Sequence, residues 1–391
     1  MNDLFLDIGY NSLNKHGEQL CGDHVAIVEQ EDDNAKVIVL ADGLGSGVKA
    51  CILSTLTAKI ISTMMAESMV LTECVRTVAA TLPVCEVRRI AYSTFSIIRI
   101  TNNNEAELIQ YDNPHIVLLR DGKNKEYPKT LENIDGKNIY KSKIQLREND
   151  VFVAFSDGAL HAGVGKRLNF GWQRKEIIEF LERLYKDQYT AKMIVTFLLE
   201  QCNFLYDGMP GDDTTACALK IRRRQPVNLI VGPPVDQADD AHVMSLFFSK
   251  EGKHIVCGGT TSELAARYLN KPLKTGIDYA DPSIPPTASI EGVDLVTEGV
   301  ITINKVLCYS NDYLSNNEYY AEWSKKKDGA SLIARMLFEE ATDINLFVGR
   351  AVNPAHQNPG LPIDFSIKMR LVDELAQALR KMGKHIKVSY F

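Results

Sequence analysis

Three aspartate-containing turns have residue types that could bind metal ions. They are DGLGSG at residues 42–47, FSDG at 155–158 and GDDTT at 211–215. Carboxylate oxygens are the ligands that hard divalent cations such as Mg²⁺ and Mn²⁺ prefer. A single Asp-Gly pair is ordinary turn chemistry, so the signal lies in the ordered set of three. Together the turns predict a carboxylate metal site.

Each turn adjoins an apolar run that is typical of a β-strand. These runs cover residues 37–40, 151–154 and 216–221, so the carboxylates are expected at strand ends, where they can converge. Further strand-like runs follow one another without intervening helices, which indicates antiparallel β structure. They cover residues 91–100, 106–111 and 116–119. Apolar residues at helical spacing predict helices over 47–68, 72–82, 174–185 and 191–204.

With these turns in this order, residues 1–222 resemble the metal-dependent serine/threonine phosphatases of the protein phosphatase 2C class. Within that class they resemble the bacterial branch typified by the sporulation stage II E phosphatase. DGLGSGVKA from residue 42, FSDG and GDDTT carry the resemblance, and CGD at residues 21–23 is a weaker fourth element. The resemblance implies an α+β domain, an antiparallel β-sandwich flanked by helices, with two Mn²⁺ or Mg²⁺ ions at one end.

The resemblance also implies roles for individual residues. Asp42 would bridge the two ions, and the carbonyl of Gly43 would bind one of them. Asp157 and Asp212 would complete the shell of the other ion. Asp23 is expected at the second ion, where many eukaryotic members have glutamate. Asp42, Asp157 and Asp212 are therefore the expected catalytic residues.

Several neighbouring residues have alternative roles. Asp213 could bind metal, anchor a ligating water or cap its turn. Leu44 stands where eukaryotic relatives often carry a histidine that acts as general acid, so the proton must come from elsewhere. Candidates are a metal-bound water, His161 and His115, although a lone loop histidine is more often a hydrogen-bonded surface residue. Lys49, at the start of the first helix, could help to hold phosphate.

Two-metal chemistry suits the hydrolysis of a phosphomonoester dianion, which repels hydroxide and reacts very slowly unaided. Two ions can neutralise the phosphate and lower the pKa of a water that lies between them. The glycines of DGLGSG do not form a nucleotide-binding P-loop, because Val48 and Lys49 follow Gly47 where that motif requires Lys and Ser or Thr.

The composition is that of a soluble protein with two domains. The chain has 391 residues, 45% of them hydrophobic and 24% charged. A formal net charge of −6 gives no electrostatic signature for nucleic acid or an anionic membrane. The N-terminus lacks a signal-peptide pattern, and no uninterrupted apolar stretch reaches membrane-spanning length. We therefore expect a cytoplasmic protein with no nucleic-acid or membrane partner.

A basic, proline-containing linker at residues 222–226 separates the two predicted domains, 1–222 and 226–391. In the second domain strand-like and helix-like segments alternate, which indicates an α/β domain with a mainly parallel sheet. We recognise no family for it. Its predicted strands are 227–231, 254–257, 293–296, 344–348 and 386–390. Its predicted helices are 240–249, 262–269, 301–314, 330–341 and 367–382.

Several of these strands end in turns with glycine, among them GGTTS at residues 258–262. Ligands bind beyond the carboxyl ends of parallel strands, and amides and hydroxyls at a helix start suit an anionic group. The same residues also serve plain strand-to-helix turns, so both readings stay open. The predicted role of the domain is regulatory, through a small-molecule effector or a protein partner.

These observations predict a phosphoprotein phosphatase that hydrolyses phosphoserine or phosphothreonine under the control of its C-terminal domain. The resemblance implies a phosphorylated protein substrate, such as an anti-sigma-factor antagonist. The alternative is a phosphatase-like switch or scaffold that binds a partner without significant turnover. The intact Asp42, Asp157 and Asp212 count against that alternative. A further alternative gives the second half its own activity on a nucleotide or sugar phosphate.

Overall fold

The chain folds into two compact units, Met1–Arg223 and Arg224–Phe391. The structure is a computed structural model that describes residues 4–30, 35–81, 93–276, 284–315, 319–351, 357–358, 361–362 and 365–391. Two predicted segments extend beyond this description: Leu82, at the end of the second predicted helix, and residues 91–92, at the start of a predicted strand, lie outside it.

The first unit contains two antiparallel sheets. In chain order its described strands are β1 Leu4–Leu13, β2 Asp23–Gln30, β3 Ala35–Asp42, β4 Thr94–Thr101, β5 Glu105–Tyr111, β6 Val117–Arg120, β7 Lys123–Asn124, β8 Thr130–Ile134, β9 Lys137–Gln145, β10 Val151–Phe155 and β11 Thr214–Arg223. One sheet has the order β2-β3-β4-β5-β9-β8 and the other the order β1-β11-β10-β6-β7.

Helices cover the outer faces of both sheets. The described helices of this unit are α1 Gly47–Ala66, α2 Leu71–Thr81, α3 Gly158–His161, α4 Arg174–Leu184 and α5 Ala191–Leu205. The α1–α2 pair packs on the six-stranded sheet, and the α4–α5 pair packs on the five-stranded sheet. The inner faces of the two sheets pack against each other. The predicted antiparallel sandwich flanked by helices is confirmed.

The layered packing explains why the strands read as continuous apolar runs. In β3, Val37 and Val39 face the helices, whereas Ile38 and Leu40 face the opposite sheet. Successive side chains of a strand point to opposite faces, so a strand between two covered faces must be apolar at every position. All four residues are at most 2% exposed.

Helix α1 is the one helix in the described part of the chain whose length and composition would allow it to cross a membrane. Lys49 and Lys59 interrupt its apolar sequence. Ten of its 20 residues are buried within the unit, on the face that packs against the six-stranded sheet. A core helix has the same composition, so this single helix is weak evidence for a membrane span.

The second unit is built on a mainly parallel sheet. Its described strands are β12 Pro226–Val231, β13 Lys253–Cys257, β14 Lys274–Thr275, β15 Ala288–Ser289, β16 Leu295–Thr297, β17 Asp343–Val348, β18 Gln357–Asn358, β19 Leu361–Pro362 and β20 His385–Tyr390. The main sheet has the order β14-β15-β16-β13-β12-β17-β20. The last five strands of that order are parallel, and β14 and β15 are antiparallel. The predicted mainly parallel sheet is confirmed.

Helices lie on both faces of this sheet. The described helices are α6 Asp240–Phe248, α7 Gly259–Leu269, α8 Val300–Leu314, α9 Tyr320–Trp323, α10 Gly329–Ala334 and α11 Phe365–Lys381. The helix predicted over 330–341 changes character at Ala334, because residues Arg335–Glu340 form a π-helical segment. Hydrophobic spacing cannot distinguish these two backbone forms over so short a segment.

Numbered along the chain, the five parallel strands lie in the order 3-2-1-4-5. The chain starts at β12 in the middle, moves outward to β13 and β16, then returns to the other side of β12 with β17 and β20. The direction of winding reverses between β12 and β17. In open α/β sheets a crevice for ligands forms at such a switch point, beyond the carboxyl ends of the strands.

Candidate metal centre

Asp23 and Asp42 lie side by side at one end of the six-stranded sheet. Asp23 begins β2, Asp42 ends β3, and the two residues are direct partners in the antiparallel pairing. The chain leaves β3 through Gly43, whose amide donates a hydrogen bond to the carbonyl of Gly22 at 3.1 Å. Paired residues on neighbouring strands have their side chains within contact distance. The strand register therefore brings these two carboxylates together.

Asp157 and Asp212 lie at the ends of adjacent strands in the five-stranded sheet. Asp157 follows β10 and precedes α3, and Asp212 lies two residues before β11. The Ser156 amide donates to the carbonyl of Thr215 at 2.9 Å, which holds the two strand ends together. A ligand atom of Asp157, one of Asp212 and one of His161 all lie within 4.8 Å of one another.

Ser156 links Asp23 on the six-stranded sheet to the first residues of β11 on the five-stranded sheet. Its buried hydroxyl donates to Oδ2 of Asp23 at 2.8 Å and accepts from the amide of Thr215 at 2.9 Å. The orientation of Asp23 on one sheet is thus fixed by a group on the other. The FSDG motif contains this serine, but its role could not be inferred without knowing that Asp23 lies opposite it.

Burial and mutual repulsion dominate the electrostatics of the cluster. Burial, followed by the negative charges of Asp23, Asp157 and Asp212, raises the pKa of Asp42 well above its usual range. Burial also raises the pKa of Asp23, despite a hydrogen bond from Ser156 that acts in the opposite direction. The pKa of Asp212 is raised by burial and by Asp157. Carboxylates with these shifts lack positive charge, which bound cations would supply.

Asp213 is positioned differently from its neighbour Asp212. Its side chain is buried, and Oδ1 accepts a hydrogen bond from the amide of Lys15 at 2.9 Å. Its buried Oδ2 has no hydrogen-bond partner among the described residues. That oxygen lies 2.7 Å from the position that a Cβ on Gly22 would occupy. The Oδ2 atom thus has unused capacity for a metal ion or a ligating water.

Two glycines allow the backbone to close around the cluster. A Cβ on Gly43 would lie 2.1 Å from the carbonyl oxygen of Ala50, and one on Gly158 would lie 2.1 Å from that of Asp213. Neither position has room for a side chain. The close approach at Gly43 holds the turn after β3 against the first turns of α1. The predicted use of the Gly43 carbonyl as a ligand remains a prediction.

The basic candidates occupy different places. Nδ1 of His161 is 3.9 Å from Oδ2 of Asp212, at the edge of the cluster. His115 packs edge-on against Tyr140, with ring centroids 4.9 Å apart, and burial lowers its pKa. Lys49 is exposed in the first turn of α1. Lys15 was not a candidate in the sequence, yet its positive charge acts to lower the pKa of Asp212.

Residues 32–222 match the family model for stage II sporulation protein E, SpoIIE. These residues are a SpoIIE domain. The solved structures similar to this chain include the protein phosphatase 2C (PP2C) domain, with a regulatory fragment, of SpoIIE from Bacillus subtilis. The two share 18% identity with a TM-score of 0.48, and the alignment covers 57% of this chain and 65% of that chain. The resemblance to SpoIIE phosphatases is confirmed.

Two further solved structures are similar to this chain. The RsbU and RsbW domains of a Mycobacterium tuberculosis protein share 15% identity with a TM-score of 0.48, over 62% of this chain and 68% of that one. RsbX in complex with magnesium shares 18% identity with a TM-score of 0.41, over 56% and 97%. A comparison with curated proteins found no match to this chain.

The carboxylates at this end of the first unit fit a divalent-metal site. Asp23, Asp42, Asp157 and Asp212 interact electrostatically at one end of the sandwich, two from each sheet. The raised pKa values of Asp23, Asp42 and Asp212 and the unpartnered Oδ2 of Asp213 indicate a donor set that positive charge would stabilise. The donor atoms are oxygens, which suit Mg²⁺ and Mn²⁺. The individual ligand roles stay predictions.

Proposed function

We propose that the protein is a cytoplasmic phosphoprotein phosphatase that hydrolyses phosphoserine or phosphothreonine with two divalent cations, Mn²⁺ or Mg²⁺. The observation that supports this most is the convergence of Asp23, Asp42, Asp157 and Asp212 at one end of the sandwich, three of them within the SpoIIE match at residues 32–222. A phosphorylated anti-sigma-factor antagonist is the substrate that the SpoIIE resemblance suggests. The family match covers residues 32–222, and we propose the activity for the whole chain.

The residues of the chain would divide the work as follows. Asp42 and its strand partner Asp23 would hold the cations on one side, and Asp157 with Asp212 would hold them on the other. When bound, the cations neutralise the phosphate and supply a nucleophilic water near neutral pH. Ser156 keeps Asp23 in one orientation by donating to its Oδ2. The carboxylates thus face the reaction in a fixed geometry, which reduces reorganisation during catalysis.

The proposed activity is tested by phosphate release from a phosphoserine peptide by the full chain. We expect release with Mn²⁺ or Mg²⁺, none with excess EDTA, and none from an Asp157→Asn variant. Binding of Mn²⁺ should be measured on the same preparations. If the protein binds the cation but releases no phosphate from peptides or from phosphorylated anti-sigma-factor antagonists, the switch or scaffold function replaces the phosphatase.

We also propose that the second unit controls the phosphatase by binding an anionic small-molecule effector at the start of α7. Gly258 is the N-cap residue of this helix, with φ +109°, and no side chain caps the helix. The first amides of a helix have no acceptor within it and attract anions. A Cβ on Gly259 would meet nothing closer than Oε1 of Glu298 at 4.0 Å, so the helix start is open.

A buried hydroxyl provides a second, independent indication of this site. Thr261 is 1% exposed, and its Oγ1 has no hydrogen-bond partner among the described residues. Oγ1 lies 3.3 Å from the position of a Cβ on Gly258, so it is directed toward the N-cap. A buried hydroxyl without a partner is unfavourable. The exposed carboxylate of Glu298 would have to rotate away from an incoming anion.

Thr261→Val tests the effector site. Titration of the metal-free full chain with inorganic phosphate should show binding that is about 10- to 150-fold weaker in the variant, because a hydrogen bond to a charged group contributes about 1.5–3 kcal/mol. The melting temperature should not fall, since the hydroxyl has no partner to lose. Thr260→Val is the matched control, because Thr260 is exposed in the same turn. Equal phosphate binding by both variants would rule out this site.

A further inference from the structure

Asp157 and His161 are held on the same side of α3. The amide of His161 donates to the carbonyl of Asp157 at 3.0 Å, which closes one helical turn between them. Residues four apart lie on one face of a helix. Asp157 is a predicted metal ligand, so the turn brings the imidazole of His161 to the same centre. From the sequence His161 was a candidate proton donor and not a ligand.

The separations between the three side chains suit a shared ion better than direct hydrogen bonds. Nδ1 of His161 is 3.9 Å from Oδ2 of Asp212, which is too long for a hydrogen bond. All three ligand atoms lie within 4.8 Å of one another. Ligands at about 2.0–2.2 Å from one ion are separated by roughly 3–4.4 Å. A small contraction around a cation would bring the three atoms into its shell.

The cluster is open to the solvent on the side of the histidine. The side chain of His161 is 55% exposed and that of Asp212 is 37% exposed. An ion can therefore enter without movement of the sandwich. The exposed His161 side chain can also turn to bring its nitrogen closer to an ion. Asp42 and Asp23, by contrast, are held in place by their strand pairing.

We propose that His161 is a nitrogen ligand of the metal centre and that it makes the centre prefer a transition-metal ion such as Mn²⁺ over Mg²⁺. An imidazole nitrogen is a softer donor than a carboxylate, and Mg²⁺ strongly prefers oxygen. A shell of Asp157, His161 and Asp212 therefore discriminates against Mg²⁺ more than an all-carboxylate shell does. The inference rests on the metal site of the proposed function and adds a residue and an ion preference to it.

The test measures metal binding directly in the full chain. Mn²⁺ binding is followed by the loss of the free-ion electron paramagnetic resonance signal, and Mg²⁺ binding by competition. We expect His161→Ala to weaken Mn²⁺ binding at least about 10- to 100-fold, since the loss of an outer-shell partner alone costs that much. His161→Asp should restore much of the affinity but lower the preference for Mn²⁺ over Mg²⁺ by about tenfold. His242→Ala is the control, because His242 is exposed in α6.

Cobalt substitution identifies the ligand itself. The Co²⁺-loaded protein should show a paramagnetically shifted imidazole proton in its NMR spectrum, and this signal should be missing from His161→Asp. Unchanged Mn²⁺ affinity in His161→Ala, or a cobalt spectrum without a histidine signal, would overturn the proposal. Metal binding through His161 without phosphate release would instead contradict the phosphatase function and leave the ligand assignment standing.

Discussion

Asp42→Asn is expected to lower phosphate release at least about 100- to 1,000-fold while making the metal-free protein more stable. Asp42 lies among Asp23, Asp157 and Asp212, so its charge helps to hold the cations. Loss of one preorganised electrostatic contact in a catalytic site costs about this factor in rate. Phosphate release at saturating Mn²⁺ measures the activity. A variant with more than a tenth of the wild-type rate would contradict the role of Asp42.

The expected gain in stability of the metal-free Asp42→Asn variant follows from the raised pKa of Asp42. Folding brings this carboxylate into a buried cluster of like charges. Asparagine keeps the shape without the charge, so we expect the metal-free variant to gain roughly 1–3 kcal/mol in unfolding free energy at pH 7.5. Urea unfolding in EDTA measures this gain. The matched control is Asp207→Asn, because Asp207 is exposed and pairs with Arg167 outside the cluster.

The same shifts predict how stability depends on pH. A carboxyl with a raised pKa binds more protons in the folded state than in the unfolded state. The stability of the metal-free protein should therefore fall as the pH rises from about 4 through the raised pKa values of Asp23 and Asp42. Asp42→Asn should flatten this dependence, and saturating Mn²⁺ should reverse it. If the metal-free protein instead became steadily more stable between pH 5 and pH 8, the predicted repulsion among the buried carboxylates would be contradicted.

Gly43→Ala is expected to destabilise the protein by about 1–3 kcal/mol and to reduce activity about 100-fold. The new Cβ would lie 2.1 Å from the carbonyl oxygen of Ala50 and 2.7 Å from that of Gly22. Both obstacles are backbone atoms, so the turn after Asp42 or the start of α1 must move. A displacement of about 1 Å at a catalytic group can lower the rate by this factor. Urea unfolding and phosphate release measure the two effects.

Gly211→Ala provides the control for this substitution. Gly211 adjoins Asp212 on the opposite sheet, but a Cβ there would meet only Cε1 of Tyr206 at 3.5 Å, an ordinary contact. We therefore expect less than about 0.5 kcal/mol of destabilisation and near-normal activity. Similar losses in both variants would show that any added methyl group near the carboxylates is harmful and that the close approach at Gly43 is unimportant.

Local patterns were sufficient to predict the layers of both units and the turns that carry the carboxylates. Residues 37–40 of β3, just before Asp42, are all apolar because helices cover one face of this strand and the second sheet covers the other. The pairing of Asp23 with Asp42 depends on the register of β2 against β3, which the aspartate turn motifs by themselves do not specify. For the same reason the contributions of Ser156 and Lys15 were not predicted, since each acts on a carboxylate far away in the sequence.

The π-helical segment after Ala334 and the order of the parallel strands also required the structure. Alternation of strands and helices predicts a parallel sheet, but several strand orders satisfy the same alternation. The observed 3-2-1-4-5 order decides where the carboxyl ends cluster. GGTTS at residues 258–262 was recognised as a strand-to-helix turn, but the unpartnered hydroxyl of Thr261 depends on three-dimensional packing.

The position of β11 between β1 and β10 has a consequence for synthesis of the protein on the ribosome. Among the described strands β1 pairs only with β11, the last strand of the first unit. A nascent chain that has not yet released Thr214–Arg223 therefore holds its first strand without a partner, and Asp212 is not yet fixed opposite Asp42. Domains fold as units during translation. The proposed catalytic centre thus forms only once all of the first unit has emerged, so incomplete chains should be inactive.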